Sequence, residues 1–366
     1  MHNVNRAVQF EPLFDQRFPI CLAPMVGLTH AVQRQVIQEY MPKNISTMWP
    51  TEMLNSRRIP YEGLGHSTET FVLNNEQGLV PQILGNDQQA IRLSIQRLKK
   101  EWDIAGVDIN MGCPVQKALR HNYGVALMGD VNYAADVVRY AVEASQSLEK
   151  PIPVSVKLRA VGSDKSTDEL IRFVEHLVQA GADWITLHPR SPEQQRRGSA
   201  DWSQIAALKK NISVPIIGNG DIQVLQDVQK MLNETCADKV MIGRALIARP
   251  WLVAQWGKMQ NLEASDLIQQ RGLPDCLESE GAEYGRMFLR YIDLCEQHFK
   301  NHLGLSENLI LRKILFFAKT THVWLEFGHT LHALTDKAKS LEQLKELASK
   351  FFQSEQRMMP KTELRQ

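Results

Sequence analysis

The sequence predicts an α/β chain: a parallel (β/α)₈ barrel of the TIM type followed by a smaller C-terminal helical bundle. Eight short β-branched runs alternate with amphipathic segments from residue 19 to about 257. Strands separated by helices of that length need right-handed crossovers and a parallel sheet. Eight such units in roughly 240 residues suit a closed barrel better than an open sheet. Beyond Trp256 the pattern changes to helical spacing, which predicts the appended bundle.

Taken in order, the strand runs are residues 19–23, 45–49, 79–84, 107–110, 154–158, 184–188, 214–218 and 240–243. Helical patterns fill the gaps at 87–102, 168–180, 202–209 and 222–232. Residues 54–78 carry Pro60, Gly63, Gly65 and Gly78 with little periodicity, so a long loop with short irregular helices is expected there. The expected boundaries are a catalytic barrel over 1–258, a polar linker with one helix over 259–283, and a helical domain over 284–366. In that last segment Met287, Tyr291, Leu294, Leu309, Phe316, Phe317, Leu344 and Phe351 recur at helical spacing, and no proline falls between Tyr284 and Phe352.

Composition narrows the function. Of 366 residues 43% are hydrophobic and 23% charged, enough to bury a full core. Lys plus Arg number 42 against 41 Asp plus Glu, a net charge of +1, so any nucleic acid must be held by a local patch and not by the whole-protein field. Five scattered cysteines without a CxxC pair argue against a disulfide framework or zinc site and for a reducing compartment. The N-terminal residues 1–6 are polar, and no stretch reaches the roughly 18 apolar residues of a membrane span. A cytoplasmic protein independent of membrane and metal is expected. No apolar surface stripe points to a second copy, so it is expected to be a monomer.

In a barrel of this kind chemistry sits where strands end and the following loops begin. Those ends read Pro24 and Met25; Gln82; Asn110 through Cys113; Lys157 and Arg159; His188 and Arg190; Asn219, Gly220 and Asp221; Gly243 and Arg244. The last two strands both end in glycine and lead into a helix, which lets backbone N–H groups approach an anion, and Arg244 can add a charge-assisted contact to phosphate. With no GxGxxG fingerprint, the ligand is expected to carry one phosphate and not a dinucleotide. Lys157 lies within an apolar strand and needs a negative partner, either a neighbouring carboxylate or an electron-rich flavin ring whose reduced form is negative near N1. His188 can hydrogen-bond a ring or a substrate carbonyl, or serve only structure. Cys113, set between Gly112 and Pro114, reads as a proton donor or nucleophile, or as an inert small hydrophobe.

Together these motifs resemble the tRNA-dihydrouridine synthase family of bacterial type. The run NMGCPVQK at 110–117 followed by GVAL at 124–127 is the most specific part. APM at 23–25, TEM at 51–53, Gln82, VKLR at 156–159, ADW at 200–202, NGD at 219–221 and IGR at 242–244 agree in order and spacing. The resemblance covers residues 19–257 strongly and the helical region more loosely. It implies a barrel binding FMN through Pro24, Met25, Gln82, Lys157, His188, Asn219, Gly220, Asp221, Gly243 and Arg244. It further implies Cys113 as the general acid, Asn110 and Arg190 orienting the target uracil, and NADPH as reductant of the flavin. The reaction implied is reduction of the C5–C6 double bond of a D-loop uridine in tRNA.

Three positions depart from the family pattern: His30, where Asp or Asn is commoner; Pro189, where glycine is usual; and the glycine-poor loop 119–124. Arg286, Arg290, Lys300, Arg312, Lys313 and Lys319 outnumber nearby Asp293, Glu296 and Glu307; by themselves they read as a solvated helix face, and the resemblance makes them the expected RNA contacts, extended by Arg120, His121, Arg196 and Arg197. Two other readings use the same residues. An FMN barrel acting on a free small molecule of dihydroorotate or enoate type keeps the flavin site without needing the helical bundle. An RNA-binding protein with a vestigial flavin site predicts a colourless protein.

Overall fold

A computed structural model describes residues 13–74, 76–160, 166–195 and 197–363. The polar residues 1–6 and Arg196 lie outside the described residues. Eight parallel strands form one sheet: β1 (Ile20–Leu22), β2 (Trp49–Asn55), β3 (Leu79–Leu84), β4 (Val107–Met111), β5 (Val154–Arg159), β6 (Trp184–His188), β7 (Ile216–Asn219) and β8 (Lys239–Ile242). The order β1-β8-β7-β6-β5-β4-β3-β2 runs round in chain sequence, as a (β/α)₈ barrel requires. Backbone ladders join every neighbouring pair in that order. Between β1 and β2 no ladder exists among the described residues; there Thr47 Oγ1 donates to the carbonyl of Ile20 at 2.9 Å.

One strand lies where the sequence pattern did not put it. Residues 45–48 are irregular, and β2 starts at Trp49 and carries Thr51, Glu52 and Met53. Pro50 and the polar pair after it read as the end of a strand, because proline cannot donate to a ladder. Here the ladder to β3 shifts register between Pro50 and Met53, and β2 ends the hydrogen-bonded order, the position where a sheet tolerates proline. The other strands and helices fall within a few residues of expectation. Helix Gln88–Trp102 is capped by Asp87, whose carboxylate accepts from the Ala90 N–H at 2.8 Å. Helix Thr167–Gln179 opens on a capping box between Ser166 and Glu169.

Side chains alternate along each strand, and the inward rows change character with height. Near the bottom, Cys21, Val80, Trp184, Ile217 and Met241 pack together with Leu13, Met48 and Ala23. Phe14 meets the Trp184 ring edge-on at 5.4 Å. Two residues further along the same strands come Gln82, Thr186, Asn219 and Gly243. The outward rows, such as Val107, Ile109 and Met111 of β4, join the main core under the helices. The barrel therefore has an apolar floor and a polar upper end.

After β8 the chain turns helical. Helix Asp266–Arg271 and the first turns of helix Leu277–Cys295 fall within the segment read as a linker. Helices Glu307–Thr321, Gly328–Lys337 and Leu341–Phe351 follow, packed through Tyr284, Phe288, Tyr291 and Phe317. This region is bolted to the helix after β1, Ala31–Gln38. His30 caps that helix through Nδ1, which accepts from the Gln33 N–H at 3.4 Å, and its Nε2 lies 3.2 Å from the Tyr291 hydroxyl. Burial holds the His30 pKa well below its ordinary value, so the ring stays neutral. His30 thus caps the helix as an Asp or Asn would and also reaches the helical region. Arg290 to Glu39 at 2.6 Å and Tyr40 to Glu283 at 2.5 Å add to the junction. Among the described residues no helix is long and apolar enough to cross a membrane, and no cluster of His, Cys, Asp and Glu could hold a metal ion.

Candidate active site

Every residue singled out for the site lies at the C-terminal end of a barrel strand or in the loop just after it. They form two groups by depth. Gln82, Asn110, Cys113, Arg190 and Asn219 are buried. Pro24, Met25, Lys157, His188, Gly220, Asp221, Gly243 and Arg244 are half-buried around the barrel mouth.

The cysteine loop is held from two sides. Asn110 Oδ1 accepts from the N–H of Gly112 at 3.1 Å and of Cys113 at 2.9 Å. From above, the Val125 N–H donates to the Cys113 carbonyl at 3.1 Å. Gly124 takes a left-handed φ of +59°, and a Cβ there would meet the Cys113 carbonyl at 2.6 Å and its Cβ at 3.0 Å, so only glycine lets this turn close over the cysteine. Cys113 packs with Ala118, Tyr123, Met53 and Leu84. Burial pushes its thiol up, with the Val115 backbone and Arg159 opposing. A thiol held protonated at the rim is suited to give a proton rather than to attack as a thiolate.

Lys157, paired in register with Asn110 on one side and Thr186 on the other, finds no hydrogen-bond acceptor among the described residues. Burial pushes its ammonium down to about 8, Arg159 adds to that, and Asp108 and Cys21 oppose it. The Thr186 hydroxyl beside it is buried without a partner. By contrast, Arg190 is held from within, with one N–H of its guanidinium left uncommitted among the described residues. Its guanidinium donates to the Gly198 carbonyl at 2.6 Å and to Asp221 at 2.5 Å, and lies 3.2 Å from His188 Nε2. A guanidinium only donates, so Nε2 is the acceptor and the His188 ring proton sits on Nδ1. Asp221 also accepts from the Ala200 N–H at 2.6 Å, while the Trp202 indole donates to the Gly220 carbonyl at 3.1 Å. These bonds give the ADW and NGD motifs one shared task, fixing the loop after β6 against the turn after β7. Asn219 donates to the Met241 carbonyl at 2.7 Å.

Glycines at the β7 and β8 ends differ. A Cβ on Gly220 would sit 2.9 Å from the Cβ of Ala200, and one on Gly218 would sit 2.5 Å from Met231 Sδ, so packing alone explains both. At Gly243 a Cβ would meet only Met25 Sδ at 3.4 Å and Ala23 at 3.8 Å, so protein packing does not demand glycine there.

Of the six basic residues expected to face RNA, three are paired: Arg286 with Glu283, Arg290 with Glu39, and Lys300 with Glu296 and Glu307. Arg312, Lys313 and Lys319, all on helix Glu307–Thr321, make no close ion pair among the described residues, although Lys313 acts on the Glu52 carboxylate through its charge. Leu309 and Phe316 are exposed on the same helix, and Phe316 packs beside Gly27 in the loop after β1. A cavity of about 350 Å³ bounded by Tyr40, Lys258 and Ser265 lies elsewhere, away from the strand ends.

Sequence reasoning assigns no role to Asp108, and quotes Glu52 only within the TEM motif. Asp108 Oδ2 accepts from Gln82 Nε2 at 2.7 Å and its Oδ1 from Ser155 at 2.6 Å. Glu52 accepts from the Gly27 N–H at 2.6 Å and its other oxygen is buried without a partner. The signal that drew attention to Lys157, a charge inside an apolar strand, was present at Asp108 as well.

A barrel whose strand ends converge on a protonated thiol and an unpaired ammonium defines an enzyme with its chemistry at the mouth. The chain belongs to the dihydrouridine synthase (Dus) family, whose model matches residues 21–354, and is thus an oxidoreductase. The probable tRNA-dihydrouridine synthase of Aquifex aeolicus is 32% identical over 244 residues, 67% of this chain and 74% of that protein. Its namesake in Mycobacterium tuberculosis is 30% identical over 241 residues, 65% of this chain and 61% of that protein. The probable tRNA-dihydrouridine synthase 1 of Synechocystis is 31% identical over 246 residues, 64% of this chain and 62% of that protein. The matched stretch is thus under two thirds of the length of these last two relatives. A solved 2-naphthoyl-CoA reductase in complex with 2-naphthoyl-CoA overlays with a TM-score of 0.48 at 12% identity, over 70% of this chain and 52% of that chain.

Proposed function

We propose that the protein is a cytoplasmic, FMN-dependent tRNA-dihydrouridine synthase that reduces the C5–C6 bond of a D-loop uridine, with NADPH as reductant and without membrane, metal or second copy. The observation that carries this reading is the Cys113 thiol, buried and kept protonated in a loop fixed by Asn110 and Gly124. Uracil has a C5–C6 double bond conjugated to its C4 carbonyl, so hydride adds at C6 and a proton is needed at C5. FMN, when bound, supplies the hydride. Cys113 Sγ–H supplies the proton and is restored from solvent.

The residues present fit FMN. Lys157 lacks an acceptor and would sit by the ring, where a cation stabilises the reduced form; Pro24, Met25, Gln82 and His188 would border it. Asn219, Gly220, Gly243 and Arg244 would hold the phosphate, with Asp221 acting through Arg190. Asn110 and Arg190 would align the uracil. The names of the relatives supply the tRNA, and the catalytic barrel 1–258 would be joined by the linker 259–283 to a tRNA-holding domain, 284–366. Arg312, Lys313 and Lys319 on helix Glu307–Thr321 suit phosphate contacts, and exposed Phe316, beside Gly27, suits a base that has left the stack at a cost of a few kcal/mol.

Two measurements test the proposal. The purified protein should be yellow and release FMN, not FAD, on denaturation. Mass spectrometry of tRNA from a deletion strain should show one dihydrouridine lost. Reduction of free uridine as fast as uridine in tRNA would refute the RNA substrate in favour of a small-molecule reductase.

A further inference from the structure

We propose that Asp108, buried inside the barrel on β4, is a positioning residue for Cys113, acting through the side-chain amides of Gln82 and Asn110; the link to catalysis rests on the reading of Cys113 as the proton donor.

The inference follows from the direction of each hydrogen bond. The N–H groups of Gly112 and Cys113 can only donate, so Asn110 must turn its oxygen to them. That commits Asn110 Nδ2 to the other side, where it donates to Gln82 Oε1 at 2.7 Å. Gln82 must then present Nε2 at its far edge, and Nε2 donates to Asp108 Oδ2 at 2.7 Å. The chain therefore has to end on a group that accepts. Asp108 is that group, and Ser155 occupies its other oxygen at 2.6 Å. Reversing Asn110 would set donor against donor at the cysteine loop and acceptor against acceptor at Gln82, and reversing Gln82 would set donor against donor at Asn110 and acceptor against acceptor at Asp108. The acceptor at the lower end thus fixes the loop at the upper end by way of the neighbouring strand β3, and each bond polarises the next. Gln82, Asp108 and Asn110 are 1%, 7% and 7% exposed, so water does not readily substitute for a lost link. Amides do not pass protons along such a chain, so its task is orientation and not proton supply.

The test is hydrogen exchange, read by mass spectrometry on the peptide spanning Gly112 and Cys113, together with tRNA-driven re-oxidation of the reduced flavoprotein. Asp108→Ala removes the terminal acceptor and should speed exchange of those two amides about tenfold while β6 stays protected. Asp108→Asn keeps an oxygen for Gln82 and should hold exchange within about threefold of wild type. If Asp108→Ala does not fold, Gln82→Met cuts the same chain one link higher and should loosen the same amides. Unchanged exchange in the cut chain, equal loosening by Asp108→Asn, or loosening shared by β6 would each overturn the proposal. Re-oxidation should slow about 10- to 100-fold in Asp108→Ala and recover in Asp108→Asn. Loosened amides with undiminished re-oxidation would support the chain while refuting the acid role of Cys113.

Discussion

Lys157 and Lys239 lie toward opposite ends of the same barrel, and burial pushes both ammonium groups down to about 8. Lys239 starts β8 at the floor, donates to the Phe18 carbonyl at 2.6 Å and stands over the Phe14 ring at 5.8 Å. Lys157 stands toward the mouth and finds no acceptor among the described residues. The two differ in whether the protein itself completes the site. At the floor it does, through the bond to Phe18. At the mouth it does not: neither the lysine nor the Thr186 hydroxyl has a hydrogen-bond partner among the described residues.

The strongest way to break this contrast is at the mouth. Cys113→Ala should slow tRNA-driven flavin re-oxidation by about 10²- to 10⁴-fold and leave reduction by NADPH near wild type. Stopped-flow measurement of both half-reactions on one preparation decides it; equal slowing of both would rule out a general acid.

Next comes pH. A lysine whose pKa is depressed by folding binds its proton more weakly folded than unfolded, so its destabilisation is fully present below about pH 8 and is relieved above it. In the flavin-free protein this relief should contribute up to about 3 kcal/mol at fully buried Lys239 between about pH 8 and 10, and less at Lys157. Burial raises the pKa values of Cys21, Cys113 and Cys295 and so opposes that gain within the same window, as burial of Tyr40, Tyr284 and Tyr291 does above it. The slope of the denaturant midpoint with pH over this window should therefore be lower in Lys239→Met than in wild type; an identical slope would mean that Lys239 is not the group that titrates.

The pair of lysines should also part company in redox behaviour. Lys157→Met should lower the flavin midpoint potential by about 30–60 mV, equivalent to about 1.4–2.8 kcal/mol for a two-electron couple. Lys239→Met should leave the potential unmoved. At pH 7 it should alter unfolding free energy by only about 1 kcal/mol, since relief of the buried charge opposes the loss of the bond to Phe18. A potential that shifts equally in both variants would erase the distinction between floor and mouth.

Most of the fold was legible because strands buried on both faces read as apolar runs, and helices between them carry a 3.6-residue period. Leu79–Leu84 and Trp184–His188 came out with the bounds their sequence suggested. The second strand did not, since Pro50, Thr51 and Glu52 mimic a strand end and only the register shift against β3 makes room for them. Within the site, strand-end positions were legible as a set. Their division of labour was not, because hydrogen-bond direction is a property of three-dimensional neighbours. Nothing local to Arg190 tells that Asp221 and Gly198 occupy its guanidinium, and nothing beside Asp108 tells that an acceptor there decides how Asn110 faces. The same holds for the basic residues, half of which meet carboxylates distant in sequence or one turn away.

The seam between β1 and β2 has a bearing on how the chain is made. Among the described residues β1 ladders with β8 alone, pairing Leu22 with Ile242 across roughly 220 residues of intervening chain. During synthesis at about 5–20 residues per second, this apolar strand waits some ten to forty seconds for that partner. Strands β2 to β7 can zip one after another as they emerge, each against the last. Pro24 and Met25, carried on the end of β1, are therefore set in place after the rest of the ring, when β8 arrives to receive them.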